Sequence, residues 1–290
     1  MAKRFILPPE AHVGAVTLQV SDVARSSRFY VEMLGFEILH GAERDGAKAS
    51  LGARDGGAPL LHLHEQRGAR PVPRRGLLGL YHFAILLPRR QDLGSFFSHA
   101  LRAGLQVSAA DHLFSEALYL VDPDGITVEV YRDRPRDQWV RHDGELVAAS
   151  DPLDTDGLIA AGSGLEWHGL PPATTIGHVH FYVGDLPRAR AFYVDALGFE
   201  PMIASFPGAL FVSAGGYHHH VGLNTWASAS PVAGDDDARL LYWDLVLPNE
   251  TALRQTALGL SAAGQETAEQ HDGRVARDPW GIAVRLTHRP

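Results

Sequence analysis

Residues Ala117 to Tyr131 read ALYLVDPDGITVEVY. The centre, Asp122-Pro123-Asp124-Gly125, is turn chemistry. Proline fixes φ, glycine takes a positive φ cheaply, and aspartate bonds its own backbone. On either side apolar residues alternate with others, the period of a half-buried strand. The stretch is therefore strand, tight turn, strand. Thr127, Glu129 and Tyr131 point one way, Val128 and Val130 the other. Glu129 has apolar neighbours on the opposite face. Either it lies on an edge facing water, or it needs a partner or a metal.

Outward from this hairpin the chain repeats itself. DPDGI (Asp122–Ile126) returns as DPWGI (Asp278–Ile282), and YHFAILLP (Tyr81–Pro88) resembles LYWDLVLP (Leu241–Pro248). A stronger repeat pairs VSDVARSSRFYVEMLGFE (Val20–Glu37) with VGDLPRARAFYVDALGFE (Val183–Glu200), offset by 163 residues. Each copy reads as a strand followed by a capped helix. Ser21 or Asp22 caps the first and Asp185 the second, with Pro187 in its first turn. Gly35 and Gly198 suit the left-handed position after a helix. The Phe-Tyr pair and the following Leu fall on one buried face. The chain is thus four modules of strand, helix and three strands, at 12–66, 79–133, 176–226 and 239–288. Their order A-B-A′-B′ implies a duplicated two-module domain. The expected division is 12–134, a connector at 135–173, and 174–288. The connector is rich in irregular-structure signals, with a helix expected around Pro152–Ala161.

Composition narrows the chemistry. With 290 residues, 45% apolar and 21% charged, this is the profile of an ordinary soluble globular protein of about two domains. The formal net charge of −8 argues against a nucleic-acid partner. No apolar run approaches the roughly 18 to 20 residues of a membrane helix. MAKRFILPPE is too short, and broken too early by Pro8-Pro9, for a signal peptide, so a cytoplasmic location is expected. There is no cysteine, hence no thiolate site or Cys nucleophile, while 16 histidines make a His-carboxylate metal site worth testing.

Paired βαβββ modules with FYxxxLGF on the helix and DPDGxxxE on the last hairpin resemble the vicinal oxygen chelate superfamily. It holds glyoxalase I, fosfomycin- and bleomycin-resistance proteins, and extradiol ring-cleaving dioxygenases. The resemblance covers nearly the whole chain outside the connector. It implies an α+β fold in which paired modules curl into open, mixed-sheet barrels, with metal ligands on the first and last strands of a module.

Those slots hold His82 and Glu129 in module two and His178 in module three, with His180 the rival to His178 on the same strand face. Module one has Ala15, and module four has Tyr242 and Arg285. Two histidines and a carboxylate suit non-haem Fe(II), with one octahedral face open; Mn(II) fits the same ligands. Each of these histidines, read alone, is also an ordinary hydrogen-bonded His. The complete set straddles the two halves, unlike typical two-domain extradiol enzymes. Either modules two and three pair directly, as four-module glyoxalases imply, or a partner chain completes the site. Modules one and four would then form a degenerate hollow.

The extradiol branch of the family also carries a His and a Tyr ahead of the metal Glu. Tyr119 lies ten residues before Glu129. His112 lies 17 residues before it, slightly closer than the family's spacing, in DHLFSEALYL. A further His belongs on the last strand of the module holding the first metal His. Tyr217-His218-His219-His220 supplies candidates and also reads as a polar edge strand. Strand alternation lets at most two of them face the cavity, and His220 is taken as the functional one with His218 outward-neighbouring.

The resemblance therefore implies an iron-dependent dioxygenase opening the ring of catechol or a substituted catechol with O2 to a muconic semialdehyde. His220 would move protons, Tyr119 would hold a ring oxygen, and His112 would line the mouth. The alternatives are a glyoxalase-like isomerase or lyase, expected to have Glu or Gln in place of His220, and a metal-free small-molecule binder. Exposed sheet edges in this fold also invite a homodimer.

Overall fold

Helix capping and turn chemistry set each module's outline. The computed structural model describes residues 4–41, 47–270 and 273–288. Module one contains β1 (His12–Val20), α1 (Val23–Glu32), β2 (Glu37–Gly41), β3 (Lys48–Gly52) and β4 (Leu61–Glu65). Module two contains β5 (Gly79–Leu86), α2 (Arg90–Arg102), β6 (Ser108–Asp111), β7 (Ser115–Val121) and β8 (Thr127–Asp133). The connector adds a small hairpin of β9 (Arg141–His142) and β10 (Glu145–Leu146), then α3 (Thr155–Ala161), close to its expected place. Module three contains β11 (Thr175–Tyr182), α4 (Leu186–Arg190), β12 (Glu200–Ile203), β13 (Ala209–Ser213) and β14 (Val221–Asn224). Module four contains β15 (Arg239–Leu247), α5 (Glu250–Ala262), β16 (Thr267–Gln270), β17 (Gly273–Arg277) and β18 (Ala283–His288).

Asp22 and Asp185 cap α1 and α4, each accepting the backbone N–H three residues on. Gly35 and Gly198, at φ +80° and +97°, end the two repeats. The second copy differs in one respect: α4 runs on into a π-helical turn at Ala191–Ala196.

The sheets cross the halves of the sequence. One eight-stranded sheet has the order β12-β13-β14-β11-β5-β8-β7-β6, joining modules two and three through antiparallel β5 and β11. The other, β16-β17-β18-β15-β1-β4-β3-β2, joins modules one and four. Of the two pairings that the sequence leaves open, direct union of modules two and three is the one found. Both sheets are mixed, because first and last strands of a module run parallel.

One core lies between these sheets and their helices. On β5, Phe83 and Ile85 face it; on β8, Val128 and Val130; on β11, Val179 and Phe181. The opposite faces carry His82, Glu129, His178 and His180 toward a cavity.

The two repeats meet in a pair of buried struts. Tyr30 of module one donates its hydroxyl to Asp122 of module two at 2.9 Å. Tyr193 of module three donates to Asp278 of module four at 3.2 Å. Each aspartate also accepts two backbone N–H groups of its own turn. Each strut therefore ties one sheet to the other.

Candidate metal centre

Strand register brings the ligand residues together. On β5, Ala84 lies opposite both Glu129 on β8 and His178 on β11. His82 is two residues away on the same face of β5. Ala84 is fully buried, and its small side chain keeps the space between its two neighbours open.

The Nε2 atoms of His82 and His178 each lie 3.0 Å from Glu129 Oε2, and 3.3 Å from each other. All three residues are buried, with 2–3% of their surface exposed. Ligands at about 2.1 Å from one cation, at right angles, stand about 3.0 Å apart. The three donors fit one face of such a coordination sphere. Burial pushes the pKa of both histidines down, which favours the neutral, metal-binding imidazole. Burial opposes charge on Glu129, but its contacts with the rings of His178 and His82, hydrogen bonds among them, outweigh this and hold it well below the usual range. The Nδ1 atoms of both histidines are buried without a hydrogen-bond partner among the described residues.

His180, the rival ligand, stays outside this cluster. Its Nε2 is 3.0 Å from Asn224 Nδ2, and Asn224 Oδ1 accepts the Trp226 backbone N–H. The amide is thereby oriented to donate, and the nitrogen His180 would offer a metal is occupied. Gly222 leaves room for the ring: a β-carbon there would lie 2.7 Å from His180 Cγ.

A cavity of about 1020 Å³ opens over the three candidate ligands. His112 and Tyr119 both line it, joined by a 2.7 Å hydrogen bond between His112 Nε2 and the Tyr119 hydroxyl. His112 Nδ1 lies 2.7 Å from the Ala149 carbonyl, which can only accept. A neutral His112 therefore keeps its hydrogen on Nδ1 and accepts from Tyr119. Burial pushes the Tyr119 hydroxyl well above its ordinary pKa, with Glu129 adding to the effect, so it remains a phenol.

His220 is not in the cavity wall. Its Nδ1 accepts the Ala214 N–H at 3.1 Å, and its ring packs near Phe199 and Tyr217. The histidine that faces the cavity is His219, its ring centroid 4.1 Å from that of His178. The expectation for His220 rested on strand alternation, but residues 214–220 are an irregular turn and β14 begins only at Val221. Gly215 and Gly216, at φ +61° and +67°, were the signal that alternation stops there.

The second sheet keeps the geometry and changes the chemistry. Asp244 and Arg285 lie opposite each other on β15 and β18, where module two has Ala84 and Glu129. They form a two-point ion pair at 2.7 and 2.8 Å, and the Arg285 guanidinium sits 4.8 Å from the Tyr242 ring centroid.

The family model of the Glyoxalase/Bleomycin resistance protein/Dioxygenase superfamily matches residues 12–130 and 175–286. A protein of Bacillus subtilis (strain 168) named catechol-2,3-dioxygenase is 40% identical over 274 residues, 93% of this chain and 94% of that one. Among solved structures, a Bacillus subtilis protein provisionally described as a dioxygenase superposes with a TM-score of 0.69 at 11% identity. The match covers 99% of this chain and 87% of that one. Glyoxalase I from Zea mays gives 0.57 at 17% identity, covering 96% and 92%. At such identities the two solved structures speak for the fold alone.

Proposed function

This chain belongs to the glyoxalase, bleomycin-resistance and dioxygenase superfamily, and from that premise we propose that it is a non-haem Fe(II) extradiol dioxygenase. Its substrate is catechol or a substituted catechol, opened with O2 to a muconic semialdehyde. The observation that carries the reading is the convergence of His82, Glu129 and His178 beneath a cavity that also presents Tyr119, His112 and His219. The catechol-2,3-dioxygenase name of a 40% identical relative supports the same reaction.

His82, Glu129 and His178 hold the metal. When bound, ferrous iron supplies the Lewis acidity and one-electron chemistry that ring opening by dioxygen requires. The chain's own residues do the rest. His219, beside His178, takes a proton from a catechol hydroxyl and later returns it to the product. The Tyr119 hydroxyl, held by His112, positions the second ring oxygen. Phe114, Phe206, Phe211 and Trp226 form apolar walls that exclude water around the ring. The cavity stands at the upper end of the roughly 300–1,000 Å³ usual for small-molecule sites, so ring substituents have room. A glyoxalase-type reaction would want a fourth protein ligand; the candidate cluster among the described residues has three.

The test is anaerobic loading with Fe(II), then catechol and air, following oxygen uptake and the yellow ring-opened product. Oxygen uptake matching product is expected. No uptake with any of several substituted catechols would overturn the reading. Glu129→Ala should bring bound iron, by metal analysis, close to zero.

A further inference from the structure

His218 does not line the cavity, yet both of its ring nitrogens are engaged. It is fully buried and stacked on Phe114, with centroids 4.5 Å apart and planes 17° apart. Its Nε2 lies 2.8 Å from Asp133 Oδ1, and its Nδ1 lies 2.7 Å from His219 Nδ1. Asp133 Oδ1 also accepts the Tyr217 hydroxyl at 3.2 Å, and the Tyr131 and Tyr217 hydroxyls are 2.6 Å apart. Arg136 clamps the loop from outside. It donates to the Gly215 carbonyl and lies over the rings of Trp139 and Tyr217.

These contacts fix hydrogens in sequence. A carboxylate only accepts, so His218 Nε2 carries the hydrogen. In neutral His218 the Nδ1 is then bare and must accept, so His219 donates from its own Nδ1. His219 Nε2 is left without hydrogen. It is the ring nitrogen turned away from His218, with no hydrogen-bond partner among the described residues, on a side chain that lines the cavity. We propose that Asp133 and His218 are positioning residues that lock His219 in the tautomer whose bare Nε2 serves the cavity as a proton acceptor. The inference rests on the proposed role of His219, while the tautomer itself is measurable without turnover. Neither Asp133 nor His218 touches substrate, and both act through His219.

The experiment is 15N NMR of the metal-free chain at neutral pH, using long-range proton–nitrogen correlations, with His219 assigned by its loss in His219→Gln. The expected wild-type pattern is hydrogen on His219 Nδ1 and a bare Nε2. In Asp133→Asn the amide can donate to His218 Nε2, and both rings should reverse, moving the hydrogen of His219 to Nε2. The iron-loaded variant should keep its metal and KM while kcat falls about 10²-fold or more, as when a catalytic histidine is held in the wrong tautomer. Asp133→Glu, which restores the carboxylate, should recover part of both signals. A wild-type His219 with hydrogen on Nε2 would overturn the proposal even if no variant folds. Failure of every catechol to consume oxygen would strike the dioxygenase reading and leave the NMR result standing.

Discussion

Gly177 decides whether His178 can stand where it does. It occupies a bulge in β11 between Ile176 and His178, and a β-carbon there would collide with the Tyr131 hydroxyl. Tyr131 in turn packs on His178, with centroids 4.9 Å apart. Gly177→Ala is therefore expected to cost about 1–3 kcal/mol through overpacking and to weaken metal retention, read by denaturant melts and metal analysis. Unchanged iron content would contradict the placement. The neighbouring histidines separate in the same way. His219→Ala should keep iron and slow turnover by about 10²- to 10⁴-fold, the range for a lost acid–base group. His220→Ala should instead lose stability, because its Nδ1 accepts the buried Ala214 N–H, and leave turnover of the folded fraction near wild type. The reverse pattern would return the acid–base role to His220. At this scale the face of Glu129 is legible in the sequence because it sits on a regular strand with a period of two, and His82 and His178 are legible because they fall in the slots that the family resemblance marks. His219 was not, because a turn through Gly215 and Gly216 has no such period.

Among elements, the DPxG hairpins act as receptors for the helices of the preceding modules. Burial is the largest influence on Asp122 and Asp278, and it pushes each pKa up to about 6 against the turn N–H groups and tyrosine hydroxyls that favour charge. For an acid raised in the folded state the sign is clear. Between about pH 4 and 6 the folded chain holds protons that the unfolded chain has released. The contribution of these groups is thus greatest below pH 4, falls as pH rises to about 6, and is level above. The stability difference between wild type and the Asp122→Asn, Asp278→Asn double variant should shrink across that window, by about 1–3 kcal/mol per group. Urea melts at several pH values measure it; a difference that grows with pH would refute the burial argument. The copies also diverge in an informative way. Arg25 pairs with the buried Asp124, whereas in the second copy Arg188 lies over the ring of Trp280, so an ion pair and a cation–π contact fill the same place.

Across the whole molecule, the site belongs to neither half of the chain. His82 and Glu129 come from the first half and His178 from the second, on adjoining strands of one sheet, with His219 in the turn that precedes β14. Fragments 1–150 and 151–290, made separately, should each fail to hold iron, and mixing or co-expressing them should restore it. Retention of a full equivalent of iron by either fragment alone would contradict the assembly. The sequence by itself determined the modules, their helix caps and hairpins, the family resemblance and the three metal-ligand candidates. The modules, caps and hairpins follow from local rules, a period of two along a strand, a cap at a helix start, a glycine where φ must be positive, and the ligand candidates follow from the family resemblance. Only the tertiary structure decided which modules share a sheet, that Ala84 stands between Glu129 and His178, and that His219 rather than His220 meets the cavity. It also decided that Arg285, which the sequence already places in the Glu129 slot of module four, is ion-paired with Asp244. Pairing between distant strands is chosen by the burial of whole faces against one core, a non-local sum that no short stretch records. The fully buried Asp133-bound histidine, His218, is the clearest case: in the sequence it was one of three in a row, and only packing gave each a separate task.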